Sequence, residues 1–264
     1  MPGMQLPIYF VDAFASHPFE GNPAAVCPLT TMLDARTMQN IAAENAQAET
    51  AFFVPRGHDF DLRWFTPEVE VPLCGHATLA SAFVVFHFLD PVRESVRFHT
   101  ASGPLQVARS GEWLEMNLPS HPPKKLEPSP ALRVALGGAA LEWHRGVYAL
   151  AVLDSERAVR ELRPDFDALR VLDESLIVSA RGEKHDFVSR FFAPNKGISE
   201  DPVTGSSHCT LVPYWSKRLG KTQLSARQIS KRGGDVRCED RGERVVLRGQ
   251  ARLYLEGRID LGAS

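Results

Sequence analysis

Residues 58–67 and residues 185–194 share six identities in ten positions: His58/His185, Asp59/Asp186, Phe60/Phe187, Arg63/Arg190, Phe65/Phe192 and Pro67/Pro194. The offset there is 127. Further on, Glu70, Pro72 and Gly75 each stand 130 positions before Glu200, Pro202 and Gly205, so the second copy carries three extra residues between Pro194 and Gly205. A period this long is no solenoid repeat; it is one domain made twice. Whatever this chain folds into must therefore contain two similar halves, and 264 residues suffice for two domains of ordinary size.

Each copy has a simple physical content. A strand-like run with aromatics (62–65, then 188–192) ends at a proline, and a short loop leads through a glycine into a helix. The first helix, over 77–88, is apolar nearly all round and so reads as a buried central helix. The second spans 206–219, stops at Gly220 and holds Pro213, which should kink it or weaken one turn. Gly75 and Gly205 allow a ligand close to the backbone, and the free N–H groups at a helix start attract anions. Two such ends would clamp one carboxylate from both sides. The plainer alternative is that each glycine only starts a helix.

Composition narrows the class. With 44% hydrophobic and 23% charged residues this is a soluble globular chain, and its formal net charge of −2 gives neither a polyanion nor an anionic membrane an evident partner. Lys231, Arg232 and two glycines form only a short basic patch without an aromatic platform, so we expect no nucleic acid and no membrane as partner. The N-terminus lacks the pattern of a signal peptide, and 77–89 is too short to span a bilayer. Cys27, Cys74, Cys209 and Cys238 show no paired spacing, which implies a reduced, cytoplasmic protein.

In chain order, a strand over 8–14 leads through the turn signal Gly21-Asn22-Pro23 to a second strand at 25–27. Asn22 is either part of a hairpin or a group presented at a cleft. A helix covers 34–46, with Asp34 as N-cap and Met38, Ile41, Ala42 and Asn45 along one face. Glu49 then opens an otherwise apolar strand. Buried, its carboxylate would be pushed towards neutrality, as a general acid/base requires; solvated, it is a strand-end glutamate and nothing more. A hairpin turns at 102–104 and a strand follows at 113–118. The segment 119–130, rich in Pro, Lys and Glu, is the crossover between the halves 1–118 and 119–264, the first half being open to completion by the last C-terminal strand. The second half brings strands within 141–153, a helix over 163–169, a buried strand at 176–179, and strands at 244–247 and 251–255. Gly103 and Gly233, again 130 apart, extend the duplication.

These motifs together resemble the phenazine-biosynthesis-like (PhzF-like) isomerases, over essentially the whole chain. The resemblance rests on Val11-Asp12-Ala13-Phe14, Gly21-Asn22-Pro23, Ala48-Glu49-Thr50, Cys74-Gly75-His76 and above all Glu200-Asp201-Pro202-Val203-Thr204-Gly205-Ser206. It implies the α+β fold of diaminopimelate epimerase, two pseudo-symmetric domains that each curl a mixed sheet around a central helix, with the active site between them. It implies a homodimer and a cofactor-free isomerase that moves a proton within a small carboxylated substrate. Glu49 matches the family's acid/base glutamate and Asp201 the aspartate beside the substrate. His76, Gly75, Gly205 and Ser206 match positions around the bound carboxylate and amine.

Two rivals stand beside this reading. Racemases of the same fold use two facing thiols; Cys74 sits where the first would be, but its repeat mate is Thr204, whose hydroxyl is no base near neutral pH. A non-catalytic binding protein would need the anion site without the base. Cys27, Cys209 and Cys238 read as packing residues. The spacings Cys74-x-His76 and His208-Cys209 are not those of a metal site, and Ser206 and Ser207 lack a nucleophile elbow.

Overall fold

The computed structural model describes residues 4–172 and 174–262, which divide into two compact units: 1–117 with 249–264, and 118–248. Among the described residues no helix is long and apolar enough to cross a membrane.

The first unit begins with β1 (Gln5–Ala13) and β2 (Asn22–Pro28), an antiparallel pair. Helix α1 (Ala35–Asn45) starts on Asp34, whose carboxylate accepts from the Thr37 amide at 3.0 Å, and buries Met38, Ile41 and Ala42, the face expected from their spacing. It carries the chain across so that β3 (Glu49–Arg56) lies parallel to β2. Next come β4 (Asp59–Phe65), the short β5 (Glu70–Val71) and helix α2 (Gly75–Val84). Every residue of α2 from His76 to Val84 is buried, because β1, β2, β3 and β7 all pack on the same helix. The helix widens to a π turn over Val85–Leu89 and stops before Pro91, which cannot continue it. Strands β6 (Ser95–Thr100), β7 (Gly103–Ser110) and β8 (Trp113–Pro119) complete the copy, β6 lying parallel to β4.

In the second unit β9 (Lys124–Lys125) falls within the segment expected to be irregular crossover, and it pairs with β10 (Glu142–Arg145). Helix α3 (Pro130–Ala135) lies between them. After β11 (Ala149–Val152) the helix expected over 163–169 is two short ones, α4 (Glu156–Glu161) and α5 (Phe166–Val171). Pro164 separates them, and Asp165 caps the second by accepting from the Asp167 and Ala168 amides. Then follow β12 (Leu176–Arg181), β13 (Phe187–Ala193), β14 (Ile198–Asp201), α6 (Gly205–Leu219), β15 (Gln223–Gln228), β16 (Gly234–Asp240) and β17 (Arg244–Gly249). Pro213 lies inside α6 without ending it, and Gly220 closes it with φ 69.

The pairing pattern of the first unit recurs strand for strand: β11 and β12 are parallel as β2 and β3 are, and β13 and β15 as β4 and β6. One sequence correspondence shifts. Gly103 pairs with Thr100, whereas its counterpart in the register is Gly234, opposite Gln228, so Gly233 belongs to a longer hairpin loop. The final strand β18 (Ala251–Asp260) pairs along the whole of β1 and joins the first unit. Because β9 follows the first copy and β18 the second, the strand that follows each copy adds to the sheet that the other copy begins.

Candidate active site

In the first unit three backbone ends meet. Asn22 opens β2, Glu49 opens β3, and Ala24 faces Glu49 across the parallel pair. Gly21 makes this entry possible: its φ is +67, and a Cβ there would lie 2.1 Å from the Ala13 carbonyl oxygen. The loop before it is braced by Asp12, which accepts from the Phe19 amide at 3.1 Å. Cys74 is the N-cap of α2, and Gly75 and His76 are its first residues.

The side chains converge on the His76 ring. Nε2 lies 3.0 Å from Glu49 Oε2, the two side chains being 6% and 12% exposed. Nδ1 lies 3.1 Å from Asn22 Nδ2 and 3.5 Å from Cys74 Sγ. Glu49 Oε2 sits at ion-pair distance from the imidazole, yet accepts no well-aligned hydrogen bond and is shut off from solvent. Burial alone disfavours charge on His76; Cys74 and Glu49 outweigh it and hold the imidazole well above the ordinary histidine range. Burial, and then Glu49, push the Cys74 thiol up. A neutral ring accepts at Nδ1 from Asn22 and carries its proton on Nε2, close to Glu49 but out of line with it; an imidazolium requires the Asn22 amide turned so that Oδ1 faces it. The two states differ by one proton, which is what an acid/base pair exchanges.

The second unit holds the other expected residues. Asp201 ends β14 opposite Phe191; Thr204 is the N-cap of α6, and Gly205 and Ser206 begin it. Ser206 Oγ is 3.1 Å from the Tyr148 hydroxyl, and Thr204 Oγ1 donates to Asp201 Oδ2. Ser207 and His208 lie 3.3 Å apart but form no nucleophilic pair: the Ser207 hydroxyl donates to the Thr204 carbonyl, and burial holds His208 down at about 4. Tyr148 and Gln228, both in contact with these residues, carried no motif in the sequence. Tyr148 stands just before β11, which pairs with β12, and Gln228 ends β15, which pairs with β13; only these pairings bring the two residues here.

The register also shows which parts of the site were duplicated. Thr50 faces Phe65 as Leu176 faces Phe192, so the counterpart of Glu49 is Ser175, whose hydroxyl is 3.4 Å from Asn195 Oδ1. The Glu49 carboxylate thus has no acidic counterpart in the second copy. Cys27, Cys209 and Cys238 are buried with thiols raised first by burial, Cys209 to about 12. Glu49, Cys74 and His76 do place one donor atom each within 4.8 Å of one another, a mixed set that could hold a soft divalent ion. The spacing Cys74-x-His76 could not reveal Glu49 as a third donor, and the positive end of α2 opposes a cation there.

The family model described as phenazine biosynthesis-like protein matches residues 11–257. A Pseudomonas aeruginosa protein called an uncharacterised isomerase is 51% identical, covering 98% of this chain and all of its own. The crystal structure of a PhzF-family protein from Enterococcus faecalis superposes with a TM-score of 0.95 at 46% identity, over 98% of this chain and 100% of that one. A hydroxyproline epimerase from Agrobacterium vitis, 9% identical with a TM-score of 0.63 over 97% of this chain and 93% of its own, shares the fold alone. By sequence along nearly its whole length and by its α+β fold, this chain belongs to the phenazine-biosynthesis-like, PhzF family.

Proposed function

We propose that this protein is a cofactor-independent isomerase that moves a proton on carbon within a small carboxylated metabolite, with Glu49 as the acid/base group. The isomerase name of its relatives supports the class. What carries the reading is the Glu49 oxygen: enclosed, with no aligned donor of its own, 3.0 Å from a histidine and beside a helix N-terminus. A base must keep a lone pair for substrate, and hydrogen bonds that satisfied both oxygens would stabilise the carboxylate and blunt it. His76 takes up or returns the proton, and the amide at Gly75 receives the substrate carboxylate. Asn22 holds one of its donor groups; in the second unit Asp201 and Ser206 offer acceptors to a substrate ammonium or hydroxyl.

Deuterium incorporation from solvent into a panel of small 2-hydroxy, 2-amino and unsaturated carboxylates, read by mass spectrometry, tests this. Glu49→Gln keeps the shape and removes the basicity, so exchange should fall by about two orders of magnitude or more. Full exchange in Glu49→Gln would place the base elsewhere. The second reading, a cysteine-dependent epimerase, has the Cys74–His76 contact in its favour. There Cys74→Ala abolishes exchange and Glu49→Gln only perturbs it.

A further inference from the structure

We infer that Thr204 and Gln228 are positioning residues for Asp201: a one-way chain of hydrogen bonds from the Gln228 amide through the Thr204 hydroxyl fixes the Asp201 carboxylate as an anion. The inference rests on the reading of Asp201 as a substrate contact. Its direction follows from donor and acceptor types alone. Gln228 Oε1 is 2.9 Å from the Thr204 backbone N–H, which can only donate. Nε2 is 2.7 Å from the Asp201 carbonyl oxygen, which can only accept. The amide therefore has one allowed orientation, and Nε2 also donates to Thr204 Oγ1 at 3.3 Å. With a donor already on its oxygen, the Thr204 hydroxyl turns its own proton to Asp201 Oδ2.

The elements around the chain make it rigid. Gln228 is fully buried at the end of β15, opposite Ser189 in the parallel pairing with β13. Thr204 is held as the N-cap of α6. Glu200, the neighbour of Asp201, is gripped by both oxygens in the Arg190 guanidinium at 2.8 Å. Among the described residues, the titratable groups about Asp201 in this unit include that neutralised Glu200 and Tyr148. The Tyr148 hydroxyl is raised, first by burial and also by Asp201 itself. Buried hydrogen bonds in series polarise one another, and a donor on a carboxylate favours the charged form. Asp201 is thereby held as an acceptor in one orientation, suited to an ammonium or hydroxyl group next to the substrate carboxylate.

The test uses the whole chain, labelled with 13C at aspartate side-chain carboxyls and titrated by NMR, with Asp201→Asn identifying the signal. Thr204→Val removes the hydroxyl at constant shape and should raise the Asp201 midpoint by about one unit, as losing a hydrogen bond to a charged group implies. Thr204→Ser, which restores the donor, should bring it back. Gln228→Met should shift it in the same sense, and it carries the measurement if Thr204→Val does not fold. An unmoved midpoint in a folded variant, or Thr204→Ser behaving as Thr204→Val does, overturns the inference. Undiminished deuterium exchange in Asp201→Asn alongside a shifted midpoint would instead remove Asp201 from the proposed reaction and leave the relay standing.

Discussion

Cys74 and Thr204 occupy the same place, the N-cap of the central helix in their respective copies, and they serve different partners. Cys74 sulfur lies 3.5 Å from His76 Nδ1, while the Thr204 hydroxyl donates to Asp201. Neither side chain bonds a backbone amide of its own helix, the ordinary task of a capping residue. The duplicated frame has diverged into two different local chemistries at this position.

Cys74 should be a poor nucleophile. Its thiol is buried and raised, so iodoacetamide at neutral pH should modify it far more slowly than free cysteine, as peptide mapping by mass spectrometry would show. Alkylation as fast as that of the free amino acid would mean a thiolate at that position.

His76 sets a pH dependence with a definite sign. Its folded value is raised above the unfolded one of about 6.5, so its stabilisation is complete below that pH and is lost as pH rises through the folded value. The advantage of wild type over His76→Gln in urea should be largest near about pH 6 and shrink towards about pH 9. An advantage that grows with pH would show the imidazole to be depressed instead.

The repeated Arg–Glu fork offers a comparison at constant chemistry. Arg63 grips Glu70 as Arg190 grips Glu200, but the first pair has side chains 33% and 41% exposed and the second 10% and 20%. Arg190 also donates to the Val159 and Leu162 carbonyls. Glu200→Ala should therefore cost about 3 kcal/mol, since a buried guanidinium loses its counter-charge. Glu70→Ala should cost under about 1 kcal/mol. Chemical denaturation of both variants measures the difference, and equal costs would show that burial does not set it.

Truncation after Gln250 should unfold the first unit selectively. It strips β1 of one of its two partners, leaving only β2, and removes Ile259 from the core built on Phe52, Phe65 and Met38. Hydrogen exchange should show β1, β2 and β3 losing protection while β12 and β13 keep theirs; uniform protection would refute the strand exchange as a stabilising device.

Much of this protein was legible without coordinates. The duplication, the buried apolar helix, the Asp34 cap and the glycine ahead of each helix follow from residue spacing and local backbone preference, which act within a few positions of the chain. The identity of Glu49 and His76 as partners came only through family resemblance, since 27 positions separate them and no periodicity links a strand start to a helix start. Pro164 between two short helices and the pairing of β9 were missed because a two-residue strand has no pattern of its own. That Ser175 stands where the second copy would carry its Glu49, and that Gln228 and Tyr148 are tied to Asp201 and Ser206, were decided by tertiary structure alone. Parallel strands bring together residues far apart in sequence, and which donor meets which acceptor there depends on register, a quantity no local window of sequence contains.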